Sequence, residues 1–394
     1  MNERTAASAG VSRDADRPRL LHVFPSYGHG GVPIRIATIL NHLGARYRHT
    51  IFALDGDMAA ASRLDPALGV RLADPEIDKT RPLASLLHIR RLLAAERPDL
   101  LLTYNWGSVE WALVNCLTGI ARHIHLESGF GPEEADGQLP RRARLRRIAL
   151  VRTRCLIVPS FTLVDIARTV WRIAPGRIRH IPNGVDCDLF GGAGDAAAAP
   201  GFEPRPDGLV VGTVAPLRPE KNLHRLIRAF TAVAPRFPRA RLLIAGDGAE
   251  RAALEQTAAA SGIAGRIVFT GHVEQPHKVY PLMDIFAISS DTEQMPNTLI
   301  QAMAARLPVA GVDVGDIKAN LSPENRALVV PKTDEDAYAD MLARLLGDAE
   351  LRQTLSAANR QWVEENYSDN KMFENYGAVF ADILGRVPEY GMTP

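Results

Sequence analysis

Glu293 and Gln301 stand eight positions apart in the run SSDTEQMPNTLIQAMAARLP, with Pro296 and Asn297 between them. The run passes from a strand-like segment into a helical one. Pro296 fits the first position of that helix, where its missing N–H costs nothing. Asn297, Thr298 and Leu299 would then offer backbone amides to an anion. Glu293, in the loop, can accept hydrogen bonds from sugar hydroxyls, and Gln301, one turn in, can bond the vicinal hydroxyls of a ribose. A solvated loop acid and a surface amide are the plain alternative. Arg218 and Lys221 stand on the loop at the start of APLRPEKNLHRLIRAF, which also joins a strand to a helix. Fixed cations there would neutralise a diphosphate and stabilise a departing phosphate oxygen; solvated charges at a helix start are the alternative. A third loop, PSYGHGGV, carries Gly28, Gly30 and Gly31 before the first helix, where glycine lets a ligand approach the backbone. The dinucleotide fingerprint GxGxxG is not met, because Ile34 or Arg35 falls where the third glycine belongs.

These loops need a scaffold. With 394 residues, the chain exceeds what one core usually supports, so two domains are expected. A net charge of +1 gives no global attraction to nucleic acid, and electrostatic function must be local. Cys116, Cys155 and Cys187 lie far apart without a CxxC pair, which argues against a zinc site or disulfide framework. From residue 19, short apolar runs (RLLHVFPS, RHTIFALDGD, DLLLTYNW, ARHIHLESGF, TRCLIVPS) alternate with amphipathic ones, the pattern of βαβ units and a parallel sheet. Residues 190–208 are rich in Gly, Ala and Pro and read as an interdomain linker. The alternation then restarts at LVVGTVA. The expected organisation is a tail over 1–18, a first doubly wound α/β domain over 19–189, the linker, and a second domain over 209–370. In such folds ligands bind beyond the C-terminal strand ends, so a shared ligand is expected in a cleft between the domains.

In series, VGTVAPLRPEKN, LLIAGDGAERAALE, IVFTGHV and SSDTEQMPNTLIQAMAARLPVAGVDVGD resemble the C-terminal domain of retaining glycosyltransferases of family GT4, which have the GT-B fold of two facing Rossmann-like domains. HVFPSYGHGGVPIRIATIL, HIHLESGF and IPNGVD are similar to the N-terminal half, and the resemblance covers roughly residues 19–385. It implies a nucleotide-diphospho-sugar donor held mostly by the second domain, a glycan or lipid-linked acceptor met by the first, and neither metal nor cofactor. Glu293 takes the place of the first acid of an E-x7-E motif, near the transferred sugar; Gln301 takes the place of the second, on the ribose. Arg218 and Lys221 would be the phosphate-loop cations, and Gly28, Gly30 and Gly31 would line the donor phosphates. His125 matches a histidine near the reacting sugar. Gly246, Gly271, Val273, Met295, Pro296, Asn297 and Thr298 fall on the donor side. The last helix, 371–386, would brace the first domain. Three positions depart from the pattern: Gln301 is not Glu, Pro216 stands where relatives carry the phosphate arginine, and Pro33 replaces a glutamate after Gly-Gly. Gln301 keeps one neutral acceptor, which should weaken donor binding by about 1–2 kcal/mol.

LPRRARLRRIALVRTR, residues 139–154, holds seven arginines between Arg141 and Arg154 with apolar residues interleaved. It reads either as a basic amphipathic surface for anionic lipid or as a solvated helix with its apolar stripe in the core. Asp186-Cys187-Asp188 has metal-binding DxD spacing but sits in the domain-closing turn IPNGVDCDLF. Trp106 and Trp111 fit core packing better than stacking on a ligand. The N-terminus lacks the apolar stretch of a signal peptide, so a cytoplasmic protein, peripheral on the inner face of the membrane, is expected. Two other functions remain open: a catalytically silent GT-B partner protein, favoured by Gln301 and Pro216, and a nicotinamide-dependent oxidoreductase using GHGG, disfavoured by the missing third glycine.

Overall fold

The computed structural model of the protein describes residues 17–78, 80–130, 132–134, 137–205 and 208–385. The chain divides into two compact units: one runs to Ile181 and takes in the chain from Phe373 onward, the other is Pro182–Met372.

The first unit is built on seven parallel strands: β1 (Arg19–Phe24), β2 (Arg48–Ala53), β3 (Arg71–Ala73), β4 (Leu100–Tyr104), β5 (Arg122–Leu126), β6 (Cys155–Val158) and β7 (Ile178–His180). Their spatial order is β3-β2-β1-β4-β5-β6-β7. All five residues of β4 are buried, as a central strand covered on both faces requires. The edge strands β3 and β7 are three residues each, too short to show an apolar run in the sequence. Trp111 packs edge-on against Phe52 beside Leu21, Val23 and Leu101, so it is a core residue. The final helix, Asp369–Leu384, stacks Phe373 on His42 and sets Phe380 edge-on to Tyr47, which fixes it to this unit.

The second unit holds six parallel strands: β8 (Val210–Val214), β9 (Arg241–Ala245), β10 (Ile267–Gly271), β11 (Ile285–Ile288), β12 (Val309–Asp313) and β13 (Val330–Pro331), in the order β10-β9-β8-β11-β12-β13. The segment expected to be a linker is part of this unit. Phe190, Ala199 and Phe202 are buried in its core, and Asp186 and Asp195 cap short helical turns by accepting from Leu189 and Ala197 amides. A Cβ on Gly191 would press on Arg360 and one on Gly194 on Leu282, so these two glycines serve close packing, and the first domain ends near residue 181 rather than 189. Asp186, the first acid of the DxD spacing, is spent on that cap.

In each sheet the strand order reverses once, between β1 and β4 and between β8 and β11. The crevice outside such a reversal, at the C-terminal strand ends, is where α/β sheets receive ligands. The loops placed there are those after Phe24 and Tyr104 in the first unit, and after Val214 and Ile288 in the second.

Candidate functional site

In the second unit the reversal brings residues 215–222 beside residues 289–296. Gly246 makes the first loop possible. A Cβ on Gly246 would lie 1.9 Å from the Ala215 carbonyl oxygen, and φ there is +143°. Only glycine tolerates both conditions. The loop closes on Asn222, in the left-handed conformation (φ +40°), whose side chain accepts from the Arg225 amide and starts the helix Leu223–Val233. Asn222 also donates to Asp291, and Ser289 Oγ donates to the carbonyls of Lys221 and Asn222. The two loops are therefore tied by backbone and side chain alike.

Across them Lys221 Nζ donates to Glu293 Oε1 at 2.5 Å, and Ser290 Oγ donates to the same oxygen at 2.7 Å. The two charged side chains are 19% and 9% exposed, so their attraction is screened little. Gly315, at φ +53°, supports Glu293 from behind: a Cβ there would sit 1.9 Å from the Glu293 carbonyl oxygen. Arg225, almost buried, donates to the Ser289 carbonyl and to Asp291, and so holds the end of β11. Thr213, Lys221, Ser290, Glu293 and Thr298 line a small cavity at this point.

The helix Asn297–Ala304 follows. Pro296 is its N-cap (φ −72°, ψ 117°), one position earlier than expected, and makes no side-chain cap hydrogen bond. Asn297 and Thr298 lead the helix and are half-buried, so their amides sit at its positive end. Asn297 Oδ1 accepts from Asn183 Nδ2, while Met295 is buried with its sulfur against the Asn183 amide, which makes Met295 a packing residue. Gln301 Oε1 accepts from the Tyr280 hydroxyl at 2.9 Å. Tyr280 is fully buried, and burial pushes its phenol well above its ordinary value, so it remains a donor. Gly271 closes β10 at φ +76° and accepts from the Gly246 amide; Val273 packs against the core.

The two expected cations part company. Lys221 engages Glu293, whereas Arg218 lies on the same loop with 65% of its side chain exposed, 3.9 Å from Glu220 at its closest acid contact. Its exposed head thus lies apart from the Lys221–Glu293 contact.

In the first unit the glycine loop follows β1. Gly30 caps the helix Gly31–Leu43, and a Cβ on Gly28 would collide with Asp57 Oδ2 at 2.1 Å. Gly28, His29, Gly30, Pro33, Asp57 and Asn105 line a cavity here of about 430 Å³. Asp57 adds a carboxylate that sequence spacing does not reveal. Asn105 stands at φ +54°, its side chain accepting from the Ser128 amide, and Arg35 from the first helix donates to Ser128 Oγ.

His125 was expected beside a sugar; it is fully buried on β5. Its Nδ1 meets Thr103 Oγ1 at 2.7 Å, and the same hydroxyl meets His123 Nε2 at 2.8 Å. His125 Nε2 and Glu127 Oε1 have no hydrogen-bond partner among the described residues. Glu127 in turn pairs with Arg146, which is completely buried, bonds Glu134 as well, and lies over the rings of Trp106, Phe130 and Trp171. Residues 139–154 thus combine the two readings open for them: part of the segment is buried and part is exposed. The helix is Pro140–Ala149, and its central arginine is an internal strut that satisfies two buried acids. Arg141, Arg144, Arg147, Ile148 and Val151 remain exposed.

Two family profiles match this chain: Glycosyltransferase Family 4 over residues 29–189, and Glycosyl transferases group 1 over residues 199–362. With two parallel α/β sheets and this loop geometry, the chain belongs to glycosyltransferase family 4 and has the GT-B fold. Among its relatives, the D-inositol 3-phosphate glycosyltransferase of Mycobacteroides abscessus is 31% identical over 249 residues, 60% of this chain and 54% of that enzyme. The GDP-mannose-dependent alpha-(1-6)-phosphatidylinositol monomannoside mannosyltransferase of Mycolicibacterium smegmatis is 29% identical over 67% of this chain and 70% of that enzyme. The chain thus spans about half the length of the first of these relatives. The crystal structure of Anabaena HepE in complex with UDP matches with a TM-score of 0.77 at 15% identity, over 92% of this chain and 100% of that one.

Arg225, Ser290, Asp57 and Gly315 belong to these sites and were missed by sequence reasoning. Gly315 sits in the quoted run VAGVDVGD, where a glycine after a strand is a usable signal. Arg225 reads as one more charge on an amphipathic helix, and only the fold turns it toward Ser289.

Proposed function

We propose that the protein transfers a sugar from a nucleotide-diphospho-sugar, with retention of configuration and without a metal, to a hydroxyl of a glycan or lipid-linked acceptor in cell-surface glycan assembly. The observation that carries this reading is the Lys221–Glu293–Ser290 cluster beside the N-terminus of the helix Asn297–Ala304, at the strand-order reversal of the second sheet. Lys221 has three donors and spends one on Glu293. The others, with the amides of Asn297 and Thr298, suit a diphosphate. Glu293 is then held to orient sugar hydroxyls, and Arg218, exposed and only loosely paired with Glu220, can swing onto the phosphates. In the transfer, the bond from C1 to the phosphate oxygen breaks, the acceptor oxygen bonds C1 on the same face, and its proton passes to the departing diphosphate. Lys221 and the helix amides stabilise the charge that develops there.

Gln301, with its oxygen engaged by Tyr280, presents its NH2 group to a ribose, a weaker grip than a carboxylate. The relatives' names support a nucleotide-sugar donor and a lipid-linked acceptor, and HepE binds UDP in its crystal structure. The first unit, with Arg141, Arg144, Arg147, Ile148 and Val151 exposed, is the part suited to rest on the anionic inner face of the membrane; no helix among the described residues is long and apolar enough to cross one. The test is a thermal-shift panel of UDP, GDP and ADP and their sugars, with Mg²⁺ and with EDTA. A ligand at ~100 Kd stabilises by ~2.7 kcal/mol. One nucleotide should shift the unfolding in EDTA as well as in Mg²⁺. A panel without any shift, or one that needs metal, refutes the reading.

A further inference from the structure

The first unit has a cavity of about 860 Å³ away from the glycine loop. It lies at the opposite end of the sheet, against the N-terminal ends of β5, β6 and β7, and Arg122, Arg152, Arg154 and Arg177 line it. Two of these are struts. Arg152 Nη1 donates to the Cys116 carbonyl, and Arg177 Nη1 donates to the carbonyls of Val151 and Thr153. They fix the loop that precedes β6 and still leave donors facing the cavity. The other two, Arg122 and Arg154, have no hydrogen bond or ion pair from their guanidinium groups among the described residues. The acid in the lining, Asp99, is already engaged: it accepts from the Arg19 amide at 2.7 Å and lies 3.9 Å from Arg19 Nε. The floor is polar too, with buried Thr153 and His123 joined by a 2.9 Å hydrogen bond.

Four guanidinium groups line one concave space whose only acid among the described residues, Asp99, is engaged by Arg19, so the lining carries an excess of positive charge. An anion is the ligand that such a lining complements. Arginine, rather than lysine, suits the planar, two-pronged binding of phosphate oxygens, and a space of this size lies within the range of small-ligand sites. We propose that this cavity is a second anion site, which binds a phosphate-bearing ligand away from the donor site. Soluble phosphate esters and phospholipid headgroups share that chemistry, and the source is decided by experiment.

Calorimetric titration of the full chain with inorganic pyrophosphate, and sedimentation with phosphatidylglycerol or phosphatidylcholine vesicles, test the site. Arg122 and Arg154 are exposed, so the double replacement Arg122→Gln with Arg154→Gln should fold with an unchanged Tm; each single replacement serves if it does not. The site predicts binding that weakens at least about tenfold in the arginine variants and survives in Lys221→Ala, where the donor site is disabled. Arginine-dependent binding of pyrophosphate assigns a soluble ligand. Arginine-dependent binding confined to phosphatidylglycerol vesicles assigns a headgroup. Binding of neither probe overturns the proposal, and so does binding that Lys221→Ala abolishes and the arginine variants keep.

Discussion

Replacing Lys221 with methionine keeps most of the side chain's length and removes one charge. The structure sets the size of the effect. Lys221 and Glu293 are 2.5 Å apart with side chains 19% and 9% exposed. Breaking a fully buried pair costs about 3–5 kcal/mol, while an exposed pair is worth less than about 1 kcal/mol. Ser290 Oγ still donates to Glu293 in the variant, so a loss of about 2 kcal/mol is expected. In a unit of this size that lowers Tm by about 4–8 °C. Glu293→Gln leaves a lysine that water can reach and should cost about half as much. Because the two residues act on one contact, the double variant should be more stable than the summed single losses by about 1 kcal/mol. Urea unfolding of the four proteins gives these numbers directly. The same lysine variant should weaken nucleotide binding about tenfold or more, as a charge-assisted bond to phosphate is lost. If Lys221→Met unfolds within 1 °C of the parent and the double variant is simply additive, the pair does not organise this site.

Gln301→Glu keeps an acceptor for Tyr280 and adds a charged oxygen, so the nucleotide should bind about tenfold more tightly in calorimetry; a weaker Kd contradicts the assigned ribose contact. Gly315→Ala forces a Cβ onto the Glu293 carbonyl and should cost at least about 2 kcal/mol of stability and most nucleotide binding, and a neutral result in both assays refutes the supporting role. Burial, with Asp186 nearby, raises the Asp369 carboxyl to about 6. The folded chain then holds that proton more tightly than the unfolded one, and the stability is lost as pH rises through 6. Asp369→Asn should therefore raise Tm at pH 7.5, with the gain shrinking toward pH 4.5. His49 has the opposite sign: burial lowers it to about 4, beside His22, also lowered by burial. Its contribution is present above pH 6.5 and lost as pH falls through 4, so the parent Tm should decline over that window and His49→Gln should flatten the decline.

Much of the scaffold was legible because parallel strands buried on both faces read as short continuous apolar runs. LLLTY and RLLIA are such runs, and both became central strands. β3 and β7 escaped because three-residue edge strands carry no pattern. Residues 190–205 were misread because Gly, Ala and Pro mark close packing as readily as freedom; Phe190 and Phe202 decide which. Within the site, Glu293 and Lys221 were legible as charges on strand-to-helix loops, yet their contact depends on β8 and β11 being neighbours, which no local pattern states. His125 and Arg146 show the reverse limit. The resemblance set His125 beside a sugar and Arg146 lay in a basic segment read in two ways; that both join Glu127 in one buried network is set by the fold alone.

The last helix has a consequence for the order in which the protein can be made. Phe373, Tyr376 and Phe380 are buried parts of the first unit, though the ribosome adds them after the whole second unit. The second unit is one continuous stretch and can close as soon as it emerges, while the first must wait, its sheet already formed but with His42 and Tyr47 lacking their aromatic partners. The N-terminal half is thus the last to be finished. A chain released early would carry a completed second unit beside a first unit whose apolar face is still open.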